Sequence, residues 1–392
     1  MKKNKRIKIK KIGAVDGGRL TAIGTRLSVS GIDYGFLAVV YCLLALGLLM
    51  VLSASSPIAF ASSMTNHDSY YYFKKQFLWA VLGSIGMLFT INYDYHRLRK
   101  LSRLLFAGAF VLLVLVLIPG IGRVVNDARR WIYIGPFNFQ PSEAAKIAMI
   151  IFFANNLAKN YKELGHFSTF LTYIAIIGMV AAVLMLEPHF SCTMLIATTL
   201  AVMIFIAGAR WRHIFVIAAP VVVAIVVAVM VAPYRMARVT TFLDPFKDIQ
   251  GDGWQIVQSL YAIGSGGLFG VGFGQSRQKY MNIPEPQNDF IFPILAEELG
   301  LLGAILVIAL FVILILRGMR IALKAPDLFG TLLAAGITTM IAIQAIVNIA
   351  VVTSSMPVTG MPLPFFSYGG TSLAITMFEM GIVLNISKHS KL

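Results

Sequence analysis

Charged residues are scarce in this chain. Asp, Glu, Lys and Arg make up 13% of its 392 residues, whereas 58% are hydrophobic, and the mean hydropathy is +0.79. A soluble domain carries about 25% charged residues. The composition therefore excludes an ordinary soluble enzyme and indicates a protein that lies mostly in lipid.

Cysteine is scarce as well: only Cys42 and Cys192 occur, each within an apolar stretch. Two separated cysteines provide neither a disulfide framework nor the spacing of a metal site, so we interpret them as packing residues. The glycine run, Gly264–Gly274, lacks the Lys-Ser/Thr ending of a phosphate-binding loop. Its glycines instead predict close packing of backbone against backbone.

Long apolar stretches make up most of the remainder. A bilayer core needs about 20 residues per helix, so the sequence predicts an all-α integral membrane protein with ten transmembrane helices. A basic cytoplasmic tail (1–30) precedes a single ten-helix domain (31–392), and a large extracytoplasmic loop (233–288), with a short helix at 254–263, separates helices 7 and 8. The predicted spans are 31–54, 76–93, 102–120, 141–158, 167–187, 189–208, 211–232, 289–316, 327–354 and 366–387.

The positions of Lys and Arg predict the orientation, because basic residues are retained on the cytoplasmic side of a membrane. Of the 33, 22 fall in segments on the same side as the N-terminus and 10 on the other. Both termini are therefore expected in the cytoplasm. The basic tail has no interleaved aromatic residues, so we interpret it as a topology signal attracted to anionic lipid rather than as a nucleic-acid-binding segment.

The stretch Asn282–Gly303 carries the first candidate site residue. Asp289 stands where a polar turn with two prolines meets the eighth apolar stretch. Aspartate is a favoured helix N-cap, so one interpretation is purely structural. Glu297 and Glu298 lie deeper in the same stretch, where carboxylates are costly and face either buried bases or a wet interior. Both interpretations remain open from these residues alone.

Other polar residues share the predicted outer face or the interior of the bundle. Arg129 and Arg130 lie in the outer loop 119–140, where arginines run against the topology rule and suit a phosphate ligand. Glu143 and Lys146 are three residues apart on one helix face and are expected to pair. Further candidates are Arg238 at the start of the large loop, Gln344 and Asn348 on one helix face, Ser367 in a proline-rich segment (356–371) that cannot be helical, and Glu379 in the last span.

Three motifs in this order resemble one protein family. They read QPSEAAK, then DPFKDIQGDGWQIVQSLYAIGSGGLFGVGFGQSRQKYMNIPEPQNDFIFPILAEELG, then MPLPFFSYGGTS. Together with the ten predicted spans, they are similar to the SEDS proteins (shape, elongation, division and sporulation), which are bacterial peptidoglycan glycan polymerases. The IPEPQNDF segment resembles the division and sporulation branches more than the elongation branch.

The resemblance implies a bacterial cytoplasmic-membrane enzyme that polymerises lipid II on its outer face and releases undecaprenyl pyrophosphate. It makes Asp289 the essential aspartate, and it matches Arg130 and the Glu143–Lys146 pair to family positions. The family commonly has an aspartate where this chain has His189, so no role is carried over to that histidine.

The implied chemistry assigns roles to the remaining candidates. Asp289 is a suitable general base for an inverting displacement. Arg129, Arg130, Arg238 and Lys146 are candidate partners of the pyrophosphate. The sequence shows no metal site, and a divalent cation (Mg²⁺ or Mn²⁺) between Asp289 and the pyrophosphate is the one cofactor left open.

The implied protein partners are a class B penicillin-binding protein that supplies transpeptidation and other membrane proteins of the division complex. Two other functions compete with the enzyme. A lipid II flippase would use buried charges such as Glu143 and Lys146 as a translocation path, although no clear internal repeat of the transporter kind is visible. A non-catalytic scaffold of the division complex would need no base at all.

Overall fold

The computed structural model describes residues 31–125, 128–134, 137–251, 253–280 and 282–390. The predicted cytoplasmic tail, 1–30, lies outside the described residues. Within them the chain is mostly helical. The helices are α1 (Tyr34–Ala61), α2 (Tyr71–Asn92), α3 (His96–Leu117), α4 (Pro141–Asn160), α5 (Phe167–Leu186), α6 (Phe190–Ile206), α7 (Trp211–Val231), α8 (Pro233–Leu243), α9 (Trp254–Ser265), α10 (Ile291–Leu323), α11 (Leu328–Val352) and α12 (Gly370–His389).

Each predicted span coincides with one helix, offset by a few residues. In the part of the chain that the structure describes, seven helices are long and apolar enough to cross a membrane: α1, α3, α5, α7, α10, α11 and α12. The protein is therefore a multi-pass membrane protein. The count of ten spans stays a prediction, because α2, α4 and α6 are not among these seven; α6 has only 17 residues and α4 contains an ion pair.

The polar loop between α3 and α4 differs from the all-α prediction. It forms a three-stranded antiparallel sheet of β1 (Gly122–Val125), β2 (Ala128–Ile134) and β3 (Phe137–Phe139). Gly122 pairs with Ile132, which in turn pairs with Phe139. Trp131, Ile132 and Tyr133 in β2 are aromatic or β-branched residues, which favour strands.

The segment 233–288 contains two helices. The short helix expected at 254–263 is confirmed as α9, whereas α8 directly continues the chain after α7 and was not expected. Pro233 is the first residue of α8, where its missing N–H costs nothing.

Tight contacts between helices hold the bundle together, and α2 packs extensively against α12. A Cβ added to Gly381 would lie 1.9 Å from Oγ1 of Thr90. The Thr90 hydroxyl also bonds to the carbonyl of Phe378 across the interface (3.2 Å). Small residues of this kind allow helix backbones to approach closely in membrane proteins.

Helix α10 is interrupted at Gly300, whose φ of 68° and ψ of −169° are not helical. The glycine run occupies the break. The N–H of Val271 donates to the carbonyl of Glu297 (2.9 Å), and the N–H of Leu301 donates to the carbonyl of Gly267 (2.9 Å). Backbone groups that lose their helical partners are thus satisfied by the loop, as an apolar environment requires.

Glycine is required on both sides of this contact. A Cβ at Gly300 would lie 2.3 Å from the amide nitrogen of Gly270, and a Cβ at Gly270 would lie 2.1 Å from the carbonyl oxygen of Glu298. Both glycines also have positive φ angles, of 68° and 78°, which other residues adopt only at a cost. The predicted role of the glycine run in backbone packing is confirmed.

We expect Gly300→Ala to destabilise the detergent-solubilised protein by about 2–5 kcal/mol, because it combines a left-handed backbone with overpacking. A lowered Tm in intrinsic fluorescence would report the loss. The matched control is Gly178→Ala within α5, where an added Cβ meets nothing within 4 Å; it should leave Tm unchanged or slightly raised. Equal Tm values for the two variants would contradict this role for the break.

Candidate active site at the start of α10

Asp289 lies just outside the membrane-spanning segment that begins at Ile291. The N-cap position of α10 is Phe290, and no side chain caps this helix. The structural interpretation of Asp289 as the N-cap, one of the two left open by the sequence, is therefore wrong. Within the described part of the chain, no group donates a hydrogen bond to its carboxylate, so the side chain has no structural partner that would explain it.

Amide and hydroxyl side chains instead hold the backbone around Asp289. The side-chain amide of Asn348 donates to the carbonyl of Asp289 (2.8 Å) and to that of Met361 (2.7 Å). The Ser367 hydroxyl donates to the carbonyl of Asn288 (2.7 Å). These two side chains join the start of α10 to the proline-rich segment.

The proline-rich segment lies across this end of the bundle. Gln344, one turn before Asn348 on α11, donates to the carbonyl of Pro362 (3.0 Å). Gly360 has a φ of 68°, and a Cβ added there would lie 3.4 Å from Oδ2 of Asp289. The predicted polar residues Gln344, Asn348 and Ser367 therefore position the segment against the aspartate, and none of these bonds reaches the carboxylate itself.

The electrostatic surroundings change the acidity of Asp289. Burial raises its pKa to about 6, and the neighbouring negative charge of Glu285 acts in the same direction. Arg238 acts in the opposite direction. At neutral pH the side chain is mostly ionised and is a stronger base than an ordinary aspartate.

The predicted arginines occupy different places. Arg238 on α8 donates to the carbonyl of Val358 (3.2 Å) and is within electrostatic range of Asp289. Arg130 on β2 donates to the carbonyls of Glu187 (3.1 Å) and Pro188. Arg129 turns towards α3, where its guanidinium donates to the carbonyl of Leu117 (2.9 Å).

The turn between α5 and α6 connects Arg130 to the proline-rich segment. Ser191 donates its hydroxyl hydrogen to the carbonyl of Thr359, next to Gly360. His189 lies in this turn, and burial, together with the positive charges of Arg130 and Lys146, lowers its pKa to about 3. The histidine that departs from the family pattern is thus neutral at neutral pH.

The predicted ion pair on α4 is confirmed. Nζ of Lys146 lies 2.9 Å from Oε2 of Glu143, and both side chains are buried. Glu379 on α12 is within electrostatic range of the same lysine. Because a lone buried charge is very costly in lipid, Glu143 and Lys146 stabilise each other in the bundle interior.

Glu297 and Glu298 bind the loop that precedes Asp289. Glu298 pairs with the buried Lys279 (2.9 Å) and accepts from the Ser53 hydroxyl (2.6 Å). Glu297 accepts from the Ser276 hydroxyl (2.5 Å). Glu298 therefore pairs with a buried base, as the structural interpretation expected. Glu297 is held by a hydroxyl and by backbone N–H groups instead, among them that of Arg277 (2.9 Å). Neither Lys279 nor Glu285 was singled out from the sequence, because a single charged residue in a polar loop has no local signal.

Metal ligands are not grouped in the usual way. Among the described residues, no cluster of three or more His, Cys, Asp or Glu side chains could hold a metal ion. Asp289 and Glu285 influence each other electrostatically.

The profile of the FtsW/RodA/SpoVE family, described as "Cell cycle protein", matches residues 34–392. The chain belongs to this family. The predicted resemblance to SEDS proteins is thereby confirmed, and the match covers every described helix.

Named relatives in the family are similar over almost their whole length. Stage V sporulation protein E of Bacillus subtilis is 47% identical over 350 residues, which are 89% of this chain and 95% of that protein. A probable peptidoglycan glycosyltransferase FtsW of Trichlorobacter lovleyi is 43% identical over 364 residues, or 92% and 94% of the two chains.

Solved structures share the fold of this family member. A chain of a peptidoglycan synthase complex, described as coordinating polymerization and crosslinking, has a TM-score of 0.75 and 29% identity, covering 91% of this chain and 97% of its own. The rod shape determining protein RodA of Thermus thermophilus has a TM-score of 0.66 and 26% identity, covering 92% and 98%.

We expect Asn348→Ala to lower the free energy of unfolding by about 1–3 kcal/mol, because it leaves two backbone carbonyls without a donor. Chemical denaturation in detergent would measure the loss. Asn156→Ala is the matched control, since among the described residues the Asn156 amide donates only within its own helix, to the carbonyl of Phe152 (2.9 Å). Equal losses in both variants would contradict the joining role of Asn348.

The raised pKa of Asp289 predicts how stability depends on pH. A carboxyl group that binds its proton more tightly when folded loses stability as pH rises through the folded pKa, here about 6. Asp289→Asn should therefore melt at a higher temperature than the natural chain at pH 7.5, and the difference should vanish as pH falls towards 4. A variant that melts lower at pH 7.5 would contradict the desolvation of this carboxylate.

Proposed function

We propose that this protein is a peptidoglycan glycosyltransferase that polymerises glycan strands from lipid II in cell division or sporulation. The observation that carries the proposal is the Asp289 carboxylate, which has no hydrogen-bond donor in the described ranges and a pKa raised to about 6. The names of the FtsW relatives support the reaction class, and the similarity to stage V sporulation protein E supports the sporulation branch as an alternative role.

In the proposed reaction, Asp289 accepts the proton of an acceptor sugar hydroxyl. The hydroxyl oxygen forms a bond to the anomeric carbon of the donor while the bond from that carbon to the pyrophosphate oxygen breaks. The bonding electrons leave with undecaprenyl pyrophosphate. One base and a single displacement give inversion, and no covalent intermediate is needed.

The leaving pyrophosphate needs positive charge. Arg238 is the best placed of the predicted arginines, because it is already within electrostatic range of Asp289. Arg130 on β2 is the second candidate, whereas Lys146 is buried and already pairs with Glu143, so it would act on the pyrophosphate only from the interior. Bidentate guanidinium groups suit phosphate oxygens.

A divalent cation fits this site only as one shared with the substrate. Mg²⁺ is commonly held by one or two carboxylates together with phosphate oxygens, and Asp289 and Glu285 supply that number. When bound, the ion would neutralise negative charge on the leaving pyrophosphate.

The proposal includes the arrangement in the cell. The termini would lie in the cytoplasm and the Asp289 end of the ten helices on the outer face, with residues 233–288 outside the membrane, as the distribution of Lys and Arg indicates. A class B penicillin-binding protein would crosslink the strands, which the similarity to a chain of a peptidoglycan synthase complex supports. Other division proteins would join this pair in the membrane.

The decisive test is Asp289→Asn in a polymerisation assay with purified lipid II in detergent, with and without the partner and a chelator. We expect loss of at least about a hundredfold in strand formation, the usual contribution of a general base. Asp244→Asn is the matched control, an exposed aspartate that follows α8, and it should polymerise normally.

Two outcomes would overturn the proposal. If Asp289→Asn polymerises normally but blocks movement of lipid II across vesicles, the protein is a flippase. If Asp289→Ala supports normal growth and division in cells, and neither activity depends on this residue, the protein is a scaffold.

A further inference from the structure

Three tyrosine rings form a continuous chain beside the candidate site. The ring centroids of Tyr71 and Tyr72 lie 5.3 Å apart at 88°, and those of Tyr72 and Tyr368 lie 5.0 Å apart at 86°. All three side chains are partly exposed. These residues, the tyrosine rim, come from the start of α2 and the end of the proline-rich segment.

Hydrogen bonds fix the tyrosine rim relative to Asp289. The N–H of Tyr368 donates to the carbonyl of Gln287 (2.7 Å), two residues before the aspartate. Gln76, fully buried one turn after Tyr72, donates to the carbonyl of Ser367 (3.1 Å) and accepts from the N–H of Gly369 (3.2 Å). The start of α2 is thereby held to the segment that contacts the candidate base.

The hydroxyl groups of the rim are largely uncommitted. In the ranges that the structure describes, no protein group bonds to the hydroxyls of Tyr72 or Tyr368, and the Tyr71 hydroxyl accepts from Nζ of Lys75 (2.5 Å). Tyrosines that only fill a core usually bond their hydroxyls to protein groups. The three tyrosines of the rim instead present their ring edges, ring faces and hydroxyl groups together.

Glu285 links the rim to the candidate base. Its charge acts on both Tyr72 and Asp289, so it lies within electrostatic range of each. Its φ of 45° is rare for a residue other than glycine. The side-chain amide of Asn288 donates to Oε2 of Glu285 (2.8 Å), which orients the carboxylate. Backbone strain of this kind is commonly retained where a side chain must point in one direction.

We infer that the tyrosine rim and Glu285 form a saccharide subsite next to Asp289. The apolar C–H face of a pyranose ring would pack on the tyrosines, and its hydroxyl and acetamido groups would bond to Glu285 and the tyrosine hydroxyls. The inference rests on the proposed function, in which an N-acetylated sugar must be held while its hydroxyl meets the base. It specifies residues that recognise the sugar itself, apart from the pyrophosphate.

The test measures binding without turnover. In an Asp289→Asn background, the full chain in detergent should bind a soluble tetrasaccharide of N-acetylglucosamine, detected by saturation-transfer NMR and calorimetry. Adding Tyr72→Leu should weaken binding by about fivefold or more, because an aromatic contact is lost. Tyr72→Phe, which keeps the ring, should retain more of the affinity.

Two further variants make the measurement specific. Tyr70→Leu is the matched control, since Tyr70 is an exposed neighbour outside the ring chain, and it should bind normally. Glu285→Gln keeps the size of the side chain and should weaken binding, because it removes the charged acceptor of the sugar hydroxyls. It remains informative if Tyr72→Leu fails to fold.

Two results would overturn the subsite: no binding of the tetrasaccharide by the Asp289→Asn protein, or equal affinity in the Tyr72→Leu, Glu285→Gln and Tyr70→Leu variants. Neither result touches the proposed function, which the polymerisation assay decides. Conversely, rim-dependent binding by a protein that forms no strands would overturn the polymerase and leave the subsite standing.

Discussion

The side-chain amide of Asn348 joins the two irregular segments that meet at the candidate site. Its two hydrogen bonds, of 2.8 and 2.7 Å, satisfy the carbonyls of Asp289 and Met361 at once. Irregular backbone that is buried in protein persists only where protein groups or ordered water satisfy it. The position of the candidate base therefore depends on this amide, and the Ser367 and Gln344 side chains extend the same arrangement along the proline-rich segment.

At the break in α10, backbone groups alone satisfy the irregular segment. The glycine run replaces the helical partners around Gly300, and contact of this closeness is open only to residues without a Cβ. The loop that enters the break is also held by Glu297 and Glu298 through Ser276 and Lys279. The long segment before Asp289 is consequently anchored at both its middle and its end.

The buried acidic residues differ in whether a basic side chain pairs with them. Glu298 with Lys279, and Glu143 with Lys146, are buried pairs whose mutual attraction compensates part of the cost of desolvation. Asp289 differs, because its carboxylate is desolvated beside a second acidic residue, and only Arg238 opposes the rise of its pKa. A carboxylate that the fold does not use is available for chemistry, which is why this residue carries the proposed function.

The sequence by itself determined the membrane class, the helix positions, the ion pair on α4, the role of the glycine run and the family, because apolar length, helical spacing and long motifs are local properties. It did not reveal the sheet at 122–139, helix α8, the pairing of Glu298 with Lys279, or the place of Glu285 and the tyrosine rim. Only the tertiary structure decided that Asp289 does not cap α10 and that Arg129 and Arg130 point in different directions. Those outcomes depend on residues distant in the chain, such as Glu187 for Arg130 and Asn348 for Asp289, whose contacts arise only when the helices pack.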